Sequence, residues 1–553
     1  MDVSSLPYHH PTPWSTRFDA IPLPELFART AARRGAKPLV LFMGRSFSYA
    51  ALFDEARRFA SGLLTRGIER GDRVGLFLPN VPAYVAAYYG AMLAGATVVN
   101  FSPLYTVDEL AHQVEDSGTR LLVTLDAPAL LPTALKVLDA STLEHLSVVR
   151  LSRQLPALKG IALRLLRRRD IAVIPARSDV GDWESWLADS ASAAFPVLDP
   201  EEVALLQYTG GTTGRPKGAM LTHANLSTNA QQVAAINSFA SPEDDVIMGA
   251  LPLFHVFANT CVLNHAVATG AAIAMVPRFE TAAVLKTLER TRPTGFPGVP
   301  TMFQAIVDSP ALASTDLSSL KVCISGGAPL SAPLREKFEQ LTGVRLVEGY
   351  GLTESSGVVS ANPYQGERRA GSIGQVVAGT EILLLDKEDP AKLAAEGEPG
   401  ELAIHGPQIM RGYWNMPEAT AEVFVEHGGK RWLRTGDVAR LDADGFLTIV
   451  DRIKDMIAVG GFKVFPSQVE AVLVEHPAIK EALVIGVPDD YRGEVPRAYV
   501  TLDEPADADA LLAWVNPRLG KHERVSSVVI RDELPKTLVG KLDRKALRAE
   551  VFA

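Results

Sequence analysis

The sequence predicts an α/β protein: a large N-terminal domain of parallel and mixed sheets flanked by helices, a β-rich subdomain, and a small C-terminal α+β domain. Three observations predict it. The chain has 553 residues, more than one compact core accommodates, so two or more domains are expected. Strand-like apolar runs alternate with helical patterns from Arg73 onward, and the unit Arg73-Val74-Gly75-Leu76-Phe77-Leu78, a helix over Val81 to Leu93, and Thr97-Val98-Val99-Asn100 is the building block of a parallel sheet. From Gly371 to Val450 the pattern turns β-rich, with turn signals at Glu398-Pro399-Gly400 and Asp444-Gly445, before a separate small unit begins. The expected domains are therefore 1–451 and 452–553.

Taken in order, residues 1–20 are rich in Pro and His and read as an extended arm over the surface. Met1 to Ser5 has neither a basic region nor an apolar core, so no signal peptide is expected. Pro24 to Arg33 reads as a helix, with proline tolerated in its first turn. Leu39 to Phe42 and Ser46 to Tyr49 flank Gly44-Arg45 as a hairpin. Arg120 to Leu125 continues the strand series, as do strands near Lys321 to Ile324 and Arg345 to Val347. Hydrophobic content of 47% and charged content of 22% are ordinary for a soluble enzyme. A net charge of −9 argues against nucleic acid as a partner. Cys261 and Cys323 sit in apolar segments without metal-ligand spacing and read as buried free thiols of a reducing compartment, so a cytoplasmic location is expected.

Two stretches raise the question of a membrane. Residues 149–177 carry Arg150, Arg153, Lys159, Arg164, Arg167, Arg168, Arg169 and Arg177 against the single acid Asp170. Leu155, Leu158, Ile161 and Leu165 recur there at helical spacing. Such a basic amphipathic helix suits either peripheral contact with an anionic membrane or packing on its own domain as a solvated helix. Residues 246–277 contain no charged side chain, but Pro252, His255, Asn259, Asn264 and His265 interrupt them. They read as strand, helix and strand buried in the protein, with walls suited to a hydrophobic substrate.

The chemistry is carried by a few loops. Val203-Ala204-Leu205-Leu206 reads as a buried strand, and Tyr208-Thr209-Gly210-Gly211-Thr212-Thr213-Gly214-Arg215-Pro216-Lys217-Gly218 follows it. Three glycines and three threonines in six residues, closed by a lysine, make a backbone concavity for a polyphosphate. It is not a Walker A loop, because Lys217 is followed by Gly218. In Glu348-Gly349-Tyr350-Gly351-Leu352-Thr353-Glu354, Tyr350 offers a flat face to an adenine ring and Thr353 a hydroxyl to a phosphate. Glu354 offers a hard oxygen ligand to Mg²⁺. Asp437, ending Trp432-Leu433-Arg434-Thr435-Gly436-Asp437, can accept both hydroxyls of a ribose. Pro535-Lys536-Thr537-Leu538-Val539-Gly540-Lys541 can deliver one lysine on a flexible loop. His255, in Pro252-Leu253-Phe254-His255-Val256-Phe257, reads by itself as a satisfied core residue.

These loops, in this order and over roughly residues 25–550, resemble those of the adenylate-forming enzymes, a family of acyl-CoA synthetases, luciferases and peptide-synthetase adenylation domains. Within it the resemblance is nearest to long-chain fatty-acid–CoA ligases, supported by Asn100 to Thr106, Leu346 to Gly351 and Ser360 to Tyr364. The resemblance implies ATP, Mg²⁺ and CoA as co-substrates and cofactor. It implies that Gly327, Ala328 and Pro329, in Ser325-Gly326-Gly327-Ala328-Pro329-Leu330, lie along the adenine, that Thr209 and Glu354 serve the metal, and that Asp437 binds the ribose. It places Arg452 on the nucleotide and Lys454 near the pivot of a mobile C-terminal domain, in Asp451-Arg452-Ile453-Lys454-Asp455. It gives Lys541 the charge growing between carboxylate and α-phosphate, and sets His255 beside the substrate carboxylate without making it a general base. Lys463, in Gly460 to Pro466, stands where many relatives carry an uncharged polar residue. The reaction so implied joins a medium- or long-chain fatty acid to AMP and then to CoA. Three alternatives stay open: ligation of aromatic acids, transfer of the adenylate to a carrier protein, and a non-catalytic fatty-acid-binding module. The oligomeric state, a homodimer included, is open too.

Overall fold

The computed structural model describes residues 6–188, 194–209, 216–239, 241–460, 462–489, 491–537 and 540–552. Four sheets organise them. The first has eight strands, six of them parallel (Val203–Thr209, Thr97–Asn100, Arg73–Leu76, Thr119–Leu125, His145–Val149, Val180–Asp182). Lys217–Thr222 folds back antiparallel on Val203–Thr209, and Gly412–Tyr413 pairs with it to close that edge. The second has nine strands with a parallel centre running from Leu346–Tyr350 through Val322–Ser325, Gly295–Gly298, Val246–Gly249 and Ala272–Met275 to Pro38–Phe42. An antiparallel sheet of five strands spans Glu381 to Arg452, and a last five-stranded sheet, Ile457 to Ile530, has its own apolar core.

The two large sheets are joined through the helix Pro82–Leu93. Proline opens it, and every residue before Leu93 is buried, as expected of a helix apolar on all sides. Its three tyrosines carry hydroxyls into that apolar surrounding, where a hydroxyl without a partner is costly. Each finds one across the joint: Tyr84 donates to Asn100 Oδ1 (2.7 Å) and to the Leu253 carbonyl (3.0 Å), Tyr88 to Asn259 Oδ1 (2.9 Å), and Tyr89 to Asn264 Oδ1 (2.7 Å).

The charge-free stretch is interior, as read: strand, helix and strand, with the helical part passing through a π-helix at Asn259–Asn264. Among the described residues no helix is long and apolar enough to cross a membrane. The N-terminal arm lies over the surface, as read, and is tied down there. Tyr8 donates to the Val376 carbonyl (3.0 Å), Trp14 Nε1 donates to that of Thr380 (2.9 Å), and His10 is buried. The basic stretch differs from a single helix. Pro156 splits it into Leu151–Gln154 and Ala157–Leu166, leaving Leu155 buried in the domain and outside the longer helix. Cys261 and Cys323 are free and buried.

The expected boundary at 451/452 falls at the end of the strand Leu447–Arg452, which pairs with Lys430–Leu441, and the short turn Ile453–Asp455 follows. Past it, Arg544 is buried between two acids, reaching Asp455 (2.7 Å) and Glu470 (2.6 Å), and Arg544 Nε donates to the Val484 carbonyl (3.1 Å). The C-terminal helix Arg544–Phe552 is thereby tied to the turn at the domain junction.

Candidate active site

Thr209 ends the strand Val203–Thr209 opposite Lys217, and its hydroxyl donates to the Lys217 carbonyl (3.4 Å). The expected phosphate contacts Gly210, Gly211, Thr212, Thr213 and Gly214 lie outside the described residues. Lys217 Nζ stands 5.1 Å from the ring centre of Tyr413. The Tyr413 hydroxyl donates to Glu354 Oε1 (2.7 Å), while the Glu354 carbonyl takes the Met410 N–H (2.8 Å). The turn Thr353–Ser355 is thus held from the strand end at Gly412–Tyr413, with one Glu354 oxygen still available to a cation. Gly351 permits this turn. A Cβ there would lie 2.1 Å from the Gly357 carbonyl oxygen.

The second parallel sheet contributes Gly326 and Gly327. A Cβ on Gly326 would meet the Phe257 ring at 2.9 Å, and one on Gly327 would meet Lys541 Cε at 2.7 Å, so the absence of side chains makes room for both. Ala328 and Pro329 continue this loop to Leu330, whose N–H donates to Glu348 Oε1 (3.2 Å). Burial pushes the Glu348 carboxyl up to about 8, offset in part by that N–H and by Arg335. Glu348 thus braces the glycine loop through that N–H, with its carboxyl shifted toward the neutral form. Gly349 and Tyr350 end the neighbouring strand, pairing with Ala361 and Ser360.

Tyr350, expected as a flat face, also has a polar task. Its hydroxyl donates to Asp437 Oδ2 (2.5 Å), and Arg452 Nε donates to Asp437 Oδ1 (2.8 Å). Asp437 is nearly inaccessible, 5% exposed, so these two donors satisfy a buried carboxylate before any ligand arrives.

Lys541 reaches this cleft from the other end of the chain. The Thr537 N–H donates to the Lys541 carbonyl (2.7 Å), the Gly540 N–H to that of Thr537 (2.8 Å), and Gly540 takes φ +81°. Gly540 sits against Thr301 of the large domain, since a Cβ on it would fall 3.0 Å from Thr301 Oγ1. Desolvation and the Arg452 charge lower Lys541 to about 8, against a smaller opposing pull from Asp437. Lys454 is lowered by desolvation, by Arg452 and by Lys217. His255 is lowered to about 3 by desolvation and by Lys541, and its Nδ1 accepts the Phe257 N–H (3.3 Å). It is a neutral imidazole and has no capacity for base catalysis through that nitrogen.

Lys217, Arg452, Lys454 and Lys541 therefore converge on one cleft, where the Arg452 charge helps to lower both Lys454 and Lys541, with Glu354 and Asp437 as the acids among them. A bound polyanion relieves that repulsion. For Mg²⁺ the donor set fits: a Glu354 oxygen and the Thr209 hydroxyl are hard ligands, and Mg²⁺ commonly takes one or two carboxylates and completes its shell with phosphates and water. Beside Phe257 lies a mainly apolar cleft lined by Val233, Phe239, Cys261, Val322, Ile324 and Tyr364, with His265 and the Lys321–Asp245 ion pair also on its wall, and Phe257 packs on the same cluster. Lys463 is turned elsewhere, pairing with Glu388 (3.2 Å) on the surface.

Sequence reasoning missed Tyr413, whose only signal was an aromatic pair after glycine in Gly412-Tyr413-Trp414, and gave Phe257 no role. Both act through partners remote in the chain.

The Lys541 ionisation has a measurable consequence. The kcat/KM for ATP in acid activation is expected to fall about tenfold per pH unit above about pH 8, because this parameter reports the free enzyme. Unfolding does not mimic that loss through this group. Between pH 8 and the ordinary lysine value the unfolded chain holds a proton that the folded chain lacks, so this ionisation adds stability as pH rises. Lys541→Arg should remove the limb, and a wild-type profile flat from about pH 7 to 10 would contradict the assignment.

A cation-lined cleft between two parallel sheets, with the glycine pair Gly326-Gly327 on one side and a lysine supplied from the C-terminal part of the chain, marks an enzyme that activates an acid with a nucleotide triphosphate. The chain belongs to the AMP-binding enzyme family: residues 27–414 match the model of the AMP-binding enzyme and residues 468–541 that of its C-terminal domain. Its relatives include the long-chain-fatty-acid–CoA ligases of Bacillus subtilis strain 168 (38% identical, covering 99% of this chain and 96% of that one) and of Escherichia coli O157:H7 (38%, 96% and 94%). The feruloyl-CoA synthase of an Amycolatopsis species is 37% identical over 94% of this chain and 95% of its own. Among solved structures, ATP-bound MatB from Rhodopseudomonas palustris superposes with a TM-score of 0.83 (28% identity, 96% and 99% coverage). The anthranilate CoA ligase AuaEII with anthranoyl-AMP gives 0.85 (26%, 97% and 99%). In fold and family this is an adenylate-forming ligase.

Proposed function

We propose that the protein activates a medium- or long-chain fatty acid and passes it to CoA. A carboxylate oxygen attacks the α-phosphorus of ATP, the bond to pyrophosphate breaks, and acyl-AMP forms. The loop at 209–217 holds the polyphosphate, Lys541 balances the charge growing at the α-phosphate, Asp437 receives the ribose, and the loop at Gly327 to Pro329 lies along the adenine beside Tyr350. Glu354 and Thr209 would hold Mg²⁺, which supplies further charge neutralisation. The C-terminal domain, beginning near residue 452, then turns about the junction at Lys454. The CoA thiol, losing its proton, attacks the acyl carbon, the bond to AMP breaks, and acyl-CoA leaves. The acyl chain runs past Phe257 into the apolar cleft beyond it.

The observation that carries this reading is the placement of Lys541 against Gly327, beside Arg452 and Asp437, with a mainly apolar cleft beside Phe257. An aromatic acid is the second reading, favoured by the 37% identity to a feruloyl-CoA synthase. CoA-dependent AMP formation over short to long acyl chains and aromatic acids decides between them. Fatty acids of medium to long chain should give the highest kcat/KM. Preference for hydroxycinnamates would select the second reading, and pyrophosphate release indifferent to CoA would point to carrier-protein transfer. A cytoplasmic enzyme in peripheral membrane contact through residues 149–177 suits a substrate that partitions into lipid.

A further inference from the structure

The helix Ala157–Leu166 is amphipathic in the reverse of the usual sense. Its inward side is Gly160, where a Cβ would lie 2.2 Å from the Ser152 carbonyl oxygen, so the helix is pressed against the preceding turn through a glycine. Its outward side is aliphatic. Leu158 is 83% exposed, Ile161 54%, Leu165 62% and Leu166 83%. At 100° per residue these four fall within about 140° of arc and form one continuous surface. A helix packed on its own domain buries such a face, and this one presents it to water.

The surrounding charge says what covers it. Several cations of the stretch are occupied within the protein: Arg153 pairs with Glu184 (2.6 Å), Arg167 with Asp170 (2.6 Å), and Lys159 donates to the Met43 carbonyl (2.8 Å). Arg168 and Arg169, at the C-terminal end of the aliphatic face, are exposed and form no ion pair among the described residues. Two uncompensated guanidinium groups bordering a convex aliphatic ridge, in a chain of net charge −9, match anionic headgroups above acyl chains. A protein partner would instead select for aromatic anchors, and the ridge has none.

We propose that Ala157–Leu166 is a lipid-docking helix. Leu158, Ile161, Leu165 and Leu166 enter the acyl boundary of an anionic bilayer, while Arg168 and Arg169 bind its phosphates. This deepens the membrane contact suggested above and rests on the fatty-acid reading only for its purpose, since docking itself needs neither acid nor nucleotide.

The test is sedimentation of the full-length protein with vesicles of phosphatidylcholine alone, or with phosphatidylglycerol added to about one third. Partitioning should rise about tenfold or more on the anionic vesicles and weaken with salt. L158S/L165S and R168E/R169E should each lower it about tenfold or more. Both pairs of side chains are exposed and remote from the catalytic cleft, so pyrophosphate release without vesicles should stay at the wild-type level and show each variant folded. Variants that partition like wild type, or wild type that binds neutral vesicles equally well, would overturn the proposal. So would L158S/L165S converting a dimer to a monomer with vesicle binding unchanged, which would make the ridge a contact between copies. Vesicle-free pyrophosphate release tests the enzyme reading separately.

Discussion

Lys541→Ala is expected to lower pyrophosphate release from ATP and fatty acid by about 10²–10³, the loss found when one preorganised charge-stabilising donor is removed. Thioester formation from supplied acyl-AMP should stay within a few-fold of wild type. The asymmetry follows from place. Lys541 lies against Gly327, and its carbonyl takes the Thr537 N–H. In the proposed mechanism its charge serves the step in which negative charge accumulates on the α-phosphate, and the attack of a thiol on the finished adenylate does not need it. Rapid-quench assays of the two half-reactions check this, and equal loss of both would reject the role given to Lys541.

The largest effect on stability is expected from Arg544→Ala. The guanidinium is 13% exposed and lies between Asp455 and Glu470, 24% and 15% exposed. Burial and the Asp451 charge raise the Glu470 carboxyl, and Arg544 opposes that rise by pairing with it. Deleting the cation leaves two acids without their buried partner and the Val484 carbonyl without its donor, at a cost of about 3–5 kcal/mol to the C-terminal domain. Hydrogen exchange should show the loss in Pro466–Leu473 and Arg544–Phe552, with the parallel sheets unaffected. Glu470→Gln in the Arg544→Ala background should recover part of it by removing one of the abandoned charges. A change below about 1 kcal/mol would show that water replaces the guanidinium without penalty.

The nucleotide loops were legible in the sequence because their function requires composition. A backbone that approaches a phosphate or another loop closely needs glycine, as Gly327 and Gly351 show by what a Cβ would strike. Strand and helix order was legible for the same local reason, since the buried strands are apolar runs bounded by turns. Contacts across the chain were not. Tyr350 and Asp437 are 87 residues apart, and nothing near either reveals that the tyrosine hydroxyl is committed to that carboxylate. Tyr413 reaches Glu354 across 59 residues. The π-helix at Asn259–Asn264 departs from the 3.6 period on which helix reading depends. In Ala157–Leu166 the periodicity identified an aliphatic face, but which side faces water is decided by the Gly160–Ser152 approach. Chain spacing carries no record of that.

The tyrosines of Pro82–Leu93 bear on how the enzyme moves. Three hydroxyls bonded across one helix rivet both parallel sheets into a single anvil, so sliding one half over the other would break several interior bonds at once. In the proposed cycle, displacement between the two half-reactions would therefore fall on the three residues Ile453–Asp455. The proposed cycle would then keep the catalytic floor fixed while the C-terminal domain changes what it presents to it.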